Sequence, residues 1–217
     1  MQPTTVFYIL ISILVISFII DKILDTLNSN HFNDEIPTKL ADIYNEEEYK
    51  KSQAYKKTNA KFSNLTSTFS IILTLFFFFV DGFKYVDNFA RSYTENPILI
   101  ALIFFGVIMI GSDILTTPLS YYKTFVIEEK FGFNKSTKKL FWLDKLKSWL
   151  MSAIIGGGIL ALIIWFYQIT GKNFWIYAWG LVAIFSLFMN LFYSKLIVPL
   201  FNKQTPLEEG ELKSAID

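Results

Sequence analysis

Asp113 is the only acidic residue well inside a long apolar stretch, and its carboxylate is the first group in the sequence that could do chemistry. Placing a carboxylate near the centre of a bilayer costs on the order of 2.5 to 3.5 kcal/mol. Two arrangements would offset that cost. Asp113 could line a polar, water-filled cavity or act as a proton site. Alternatively, it could face the bundle and pair with a neighbour or water near Pro118, where the helix backbone is already disturbed. His31 lies in a polar run with Asn30, Asn33, Asp34 and Glu35, which invites a metal reading. The chain has one His and no Cys, so no second imidazole or thiolate is present to complete a zinc site, and His31 reads as a solvated loop residue. The same count excludes a thiol nucleophile and any disulfide, and leaves the redox compartment illegible. Asn134-Lys135-Ser136 matches a glycosylation sequon, read as a chance match because of the loop it falls in.

The elements that must position these residues are apolar and long. Of 217 residues, 53% are hydrophobic and 18% aromatic, with 23 Phe, more than a soluble domain of this size would bury. Five stretches qualify as spanning helices: about 4–20, 62–80, 98–120, 148–169 and 174–199. Each is near the roughly 20 residues that cross the hydrocarbon core. The first has no preceding basic residue and no small-x-small cleavage site, so it reads as an uncleaved anchor. Gly156-Gly157-Gly158 in the fourth span predicts close helix packing, or a hinge beside a cavity. Trp142, Trp149, Trp165, Trp175 and Trp179 gather towards the ends of the last two spans, where indole rings anchor at the headgroup level.

Charge distribution sets an expected orientation. The formal net charge of +1 gives no nucleic-acid footprint. The connection from Asp21 to Lys61 carries seven lysines, as does that from Tyr121 to Lys147. The connection from Asp81 to Pro97 has only Lys84 and Arg91, and the turn after Ile169 only Lys172. Basic residues are retained on the cytoplasmic side, so the two rich loops and the C-terminal tail are predicted inside and the N-terminus outside. Glu46 to Lys61 favours a helical extension leading into the second span. Thr205, Pro206 and Glu208 have the spacing of an N-cap, a first helical residue and a capping-box partner. That helix would run to Asp217 without a C-terminal cap, so residues 204–217 read as the truncated start of a further domain after a membrane domain at 1–203.

Two runs carry a family likeness. Tyr122-Lys123-Thr124-Phe125-Val126-Ile127-Glu128-Glu129-Lys130-Phe131-Gly132-Phe133-Asn134-Lys135-Ser136-Thr137 resembles the signature of the type I CAAX prenyl endopeptidases, which are integral-membrane zinc metallopeptidases. Ile197-Val198-Pro199-Leu200-Phe201-Asn202-Lys203-Gln204-Thr205-Pro206-Leu207 is similar to that family's run into its catalytic domain, although Gln204 stands where the family usually has an aromatic residue. The likeness extends to Tyr44 through Phe62 and Phe174 through Ala178. It implies an all-α, polytopic transmembrane bundle whose five spans form part of a ring of seven helices around a water-filled chamber. It also implies a zinc site on the cytoplasmic side, bound by H-E-x-x-H and a later Glu; with one His this chain cannot assemble that motif.

Asp113, Glu128, Glu129, Phe131, Gly132, Phe133, Asn134, Pro199, Asn202 and Pro206 are therefore candidate chamber, rim or docking positions rather than catalytic or metal-binding ones. No cofactor is expected in this chain, and zinc is expected in the full-length family enzyme. The implied partners are the lipid bilayer, a C-terminal catalytic domain and a peptide substrate, with no nucleic acid. The leading expectation is the membrane domain of a protease; the alternative is a non-catalytic module that binds or assembles lipidated or hydrophobic peptides.

Overall fold

An apolar run entered through a proline starts α1 (Pro3–Ser29). The computed structural model describes residues 2–30, 45–203 and the single residues 32, 36, 205, 210, 213 and 214, and every regular element among them is helical. His31 and the tail residues Gln204, Pro206 and Glu208, with the predicted capping box, lie outside the described residues. α1 runs past the predicted apolar limit at Ile20, adding a polar end that carries Lys22 and Asp25.

The side chain of Asn45 caps α2 (Glu46–Phe79), accepting from the Glu47 N–H at 2.9 Å. Glu46, Glu47 and Glu48 complement the positive end of the helix dipole. Lys50 binds Glu46 at 2.6 Å and holds the Glu46 carboxyl below its ordinary range, chiefly through that hydrogen bond. At ~1.5 Å per residue the 34 residues extend about 51 Å, well beyond the ~30 Å hydrocarbon core. The predicted extension over Glu46 to Lys61 is therefore present as a helix continuous with the second span.

Where the sequence reads only as a connection, the structure has a helix, α3 (Gly82–Tyr93). Asp81 turns the chain in one step with φ +56°, a left-handed conformation that Asp tolerates better than most residues. Gly82 and Ala90 are buried on one edge of α3, and Val86 between them is half-buried. The stretch is short and mostly polar, so a window sized for membrane spans passes over it. Arg91 donates to Asp87 at 2.7 Å near the end of α3, which raises the guanidinium pKa, first through that bond and then through charge.

α4 (Pro97–Tyr122) is capped by Asn96, whose side chain accepts from the Ile98 and Leu99 N–H groups. Pro118 within it cannot donate to the Ile114 carbonyl. Around that gap Thr116, Thr117 and Ser120 donate their hydroxyls back to carbonyls of the preceding turn. Their acceptors are the Ser112, Asp113 and Thr116 carbonyls rather than that of Ile114. A π-helical segment (Lys123–Glu128) and a final turn, α5 (Glu129–Phe131), continue the same path.

The last helical path covers Lys138–Phe201 without a long break, so four helical runs qualify as spans by length and apolarity. Its 64 residues would extend about 96 Å if straight, roughly three bilayer cores. It folds back at Gly171, with φ +55°, and the 3-10 turn Gly171–Asn173, so the fourth and fifth predicted spans share it. Its parts are α6 (Lys138–Met151), a π segment (Ser152–Gly156), α7 (Gly157–Thr170), α8 (Phe174–Leu196) and α9 (Val198–Phe201). The glycine triplet is not a tight seam throughout. A Cβ on Gly157 would meet Leu102 at 3.5 Å, whereas one on Gly156 or Gly158 would meet nothing within 4 Å.

The chain divides into two compact units, one of residues 1–94 with 103–137 and the other of 95–102 with 138–217. In the first, α1 and α2 run antiparallel. Phe7 meets Phe78 and Phe79 at ring distances of 6.0 and 5.9 Å at one end, and Lys22 meets Asn64 and Ser67 at the other. In the second, Phe166 and Tyr177 pack at 5.7 Å beside the turn, and Lys147 donates to the Leu200 carbonyl at 2.9 Å at the opposite end. No large side chain among the described residues is fully buried. The apolar surface of the spans faces outward, as it does where lipid is the solvent.

Candidate functional site

The signature residues gather where the first part of α2 meets the end of the α4 path. Phe62 of α2 stacks on Tyr122 of α4 at 5.7 Å. Seven residues earlier on α2 and six later on the α4 path, the Tyr55 hydroxyl donates to Glu128 Oε1 at 2.8 Å. This register holds the first part of α2 and the end of the α4 path side by side. The π segment makes it possible: an i to i+5 turn admits an extra residue and rotates the face that follows. Ile127 and Phe131 are buried after that rotation, at 4% and 6% exposure. Gln53 is buried at 4% on the α2 side.

Tyr55 is the centre of this cluster. Its ring lies edge-on to Phe131 at 5.2 Å and to Phe133 at 4.7 Å. The bond to Glu128 raises the Tyr55 pKa above its ordinary value, with desolvation adding to the shift. The following turn is a Schellman motif. Gly132 N–H bonds the Glu129 carbonyl at 3.1 Å and Phe133 N–H bonds the Glu128 carbonyl at 2.9 Å. Gly132 takes φ +79°, where a side chain is strained by about 1–2 kcal/mol, although space for a Cβ is open there.

Asn134 closes the loop from both ends of its amide. Nδ2 donates to Glu129 Oε2 at 2.8 Å, and Oδ1 accepts from the Ser136 N–H at 2.8 Å. In the sequon-like run, Asn134 thus serves as a loop tie. Six of the candidate residues, Glu128, Glu129, Phe131, Gly132, Phe133 and Asn134, therefore form one built corner.

The other candidates stand elsewhere. Asp113 is half-buried in α4, and its carbonyl accepts from Thr117 Oγ1 at 2.6 Å. Pro199 lies at the start of α9, where it cannot supply an N–H to continue α8, and the Asn202 N–H bonds the Val198 carbonyl at 2.8 Å. Both belong to the second unit, and Pro206 is outside the described residues. Sequence reasoning missed Tyr55 and Gln53 as site residues. They sit in a polar helical run that reads as solvated, and the family likeness over Tyr44 to Phe62 was the available signal.

Chemically, the corner joins a phenol, an acidic side chain and two aromatic rings, and it fastens one segment to another. Among the described residues no group of three or more His, Cys, Asp or Glu is placed to hold a metal ion.

The family of CAAX prenyl protease N-terminal regions, described as having five membrane helices, matches residues 25–203. A CAAX prenyl protease 1 homolog of Dictyostelium discoideum is 36% identical over 187 residues, covering 84% of this chain and 44% of that protein. One from Oryza sativa is 37% identical over 189 residues, with 84% and 44% coverage. The CAAX prenyl protease 1 of Saccharomyces cerevisiae is 33% identical over 193 residues, with 84% and 43% coverage. The chain thus spans less than half the length of these relatives. The crystal structure of S. mikatae Ste24p superposes with a TM-score of 0.89 at 31% identity, covering 100% of this chain and 52% of that one. With this match in sequence and in the course of its helices, the chain belongs to the CAAX prenyl protease N-terminal family of membrane proteins.

Proposed function

We propose that this chain is the membrane housing of a CAAX prenyl protease-like zinc metalloendopeptidase, forming part of the wall of a chamber in which prenylated or membrane-associated peptides are cut. The observation that carries the reading is the superposition on Ste24p over the whole chain at 31% identity. Residues 1–203 would be the membrane domain, and residues from 204 onward would lead into a catalytic domain. The residues here do not fit a zinc centre, since the chain has one His and no Cys. The metal ligands would come from the catalytic domain. The task of this chain would be to position the peptide and exclude bulk water, which contributes to rate by fixing the reacting geometry. In this reading Asp113 faces the chamber water, and the Glu128 to Asn134 corner, with Pro199, Asn202 and Pro206, lies on the docking side of the catalytic domain.

The test is a matched assay of this chain and of the longest product of its reading frame on a fluorogenic prenylated peptide, with and without a chelator. Chelator-sensitive cleavage by the longer form alone is the expected result. Peptide binding without cleavage by either form would replace the proposal with a non-catalytic binding module.

The lysine counts support an N-terminus outside, with the two lysine-rich loops inside. The absence of Cys makes single-cysteine labelling clean. In sealed vesicles with the cytoplasmic face outward, Lys135→Cys is expected to react with an impermeant maleimide, and Gln2→Cys only after permeabilisation. The reverse pattern would invert the topology.

A further inference from the structure

Pro199 interrupts the last helical path just before its end. It has no N–H to bond the Lys195 carbonyl, so the ladder of α8 does not by itself fix the direction of α9 (Val198–Phe201). α9 is about one turn long, and the chain leaves it at Asn202 in an extended conformation, with φ −130° and ψ 133°. The carbonyls of a last helical turn have no N–H of their own helix ahead of them. That of Val198 is met from within, by the Asn202 N–H at 2.8 Å.

That of Leu200 is met from another helix. The Lys147 ammonium, 53 residues earlier on α6, donates to it at 2.9 Å. Two neighbours aim this ammonium: Asp144 Oδ1, one turn back on α6, at 3.4 Å, and the ring of Phe201, whose centroid is 5.7 Å away. A charged donor makes a stronger hydrogen bond than a neutral one, and attraction to the aromatic face adds to it. Lys147 and Asp144 are both half-buried, and all of these contacts lie within the second unit. One side chain thus bridges the start of the fourth predicted span and the exit from the fifth.

We infer that Lys147 is a positioning residue: by gripping the Leu200 carbonyl it sets the direction in which the chain leaves its last span. The consequence for catalysis rests on the protease reading, in which residues from 204 onward lead into the catalytic domain. Without the clamp, α9 pivots at Pro199 and the metal-bearing domain loses its register with the wall that holds the peptide. A misplacement of about 1 Å can cost roughly 10²-fold in rate. The loss falls on turnover, because the walls that bind the peptide are untouched.

Lys147→Met keeps the length of the side chain and its packing on Phe201 but has no donor, whereas Lys147→Arg keeps both charge and donors. In this chain, which has no Cys, a nitroxide on Asn202→Cys reads the order of α9 from its spectral line shape in detergent. Lys147→Met is expected to mobilise the label, and Lys147→Arg to leave it as ordered as in the parent. In the longest product of the reading frame, Lys147→Met is expected to lower kcat about 10-fold, with KM and zinc content unchanged, and Lys147→Arg to recover most of the loss. A label as ordered in the methionine variant as in the parent overturns the inference. So does an unchanged kcat, or a fall in kcat matched by loss of zinc or of thermal stability, which would make Lys147 a structural residue only. If the methionine variant does not fold, Lys147→Gln, whose shorter side chain draws back from the Leu200 carbonyl, takes its place with the same outcomes. A longer parent without chelator-sensitive cleavage sinks the protease reading instead, and the label on this chain still decides whether Lys147 holds the exit.

Discussion

Replacing Tyr55 with Ala is expected to lower the thermal unfolding midpoint in detergent by roughly 6–12 °C, corresponding to about 3 kcal/mol. Two ring contacts, to Phe131 and Phe133, and the bond to Glu128 are lost together. An edge-on aromatic pair contributes about 0.5 to 1.5 kcal/mol beyond its buried area. A hydrogen bond to a charged acceptor contributes about 1.5 to 3 kcal/mol, taken here at the low end because the pair is partly solvated. Tyr55→Phe keeps the rings and should lose only about half of the Ala effect. A Tyr55→Phe variant as unstable as Tyr55→Ala would mean that the hydroxyl, rather than the packing, holds the corner. The pH dependence has a definite sign. Tyr55 has a pKa raised above its ordinary value of 10.0. Its contribution is complete below that ordinary value and is lost only as pH rises through the higher folded value. Titration of Tyr55 should therefore leave the corner unchanged across neutral pH and weaken it in strong alkali.

The span pattern and the helical extension that begins α2 were legible because both rest on composition over many residues. Twenty apolar positions in a row outweigh any single residue, and Glu46 to Lys61 is rich in strong helix formers. The π segments at Lys123–Glu128 and Ser152–Gly156 were not legible. A π turn changes the helical repeat by one residue, and only the neighbour packed against it makes the new face favourable. For Lys123–Glu128 that neighbour is the Tyr55 side of α2, some seventy positions away in sequence.

The candidate site was legible to the same extent. Gly132 and Asn134 carry local signals for a left-handed cap and a side-chain tie, so the turn could be read from its own residues. Tyr55 carries no local signal, because a tyrosine in a polar helix looks alike whether it reaches solvent or a glutamate on another segment. Asp113 shows the remaining limit. Its cost in a bilayer is visible from sequence, but whether water or a side chain offsets it depends on what surrounds α4. The hydroxyls of Thr116 and Thr117 bond its backbone carbonyl, not its carboxylate.

Gly82 is the position where the smallest change should have the second large effect. A Cβ built there falls 2.5 to 2.7 Å from three atoms of the Phe77 ring. That ring is edge-on to Phe83 at 4.9 Å, and Phe83 also meets Phe78 at 4.9 Å and Phe104 at 6.4 Å. The ring cannot yield without disturbing the cluster that fastens α3 to α2 and α4. Overpacking of this kind costs about 1 to 3 kcal/mol or more, against a helix-propensity gain of at most about 1 kcal/mol for Gly to Ala. Gly82→Ala is thus expected to lose about 1–2 kcal/mol and Gly82→Val about 3 kcal/mol, the propensity gain being smaller for a β-branched residue. Phe77→Leu combined with Gly82→Ala should recover part of the loss, because the shorter side chain vacates the ring edge. A Gly82→Ala protein that unfolds at or above the parent midpoint would show that α3 is not pinned there. The tight turn at Asp81 would then be held by the αL aspartate alone, and the aromatic cluster would be packing that tolerates a shift rather than the clamp at this end of the first unit.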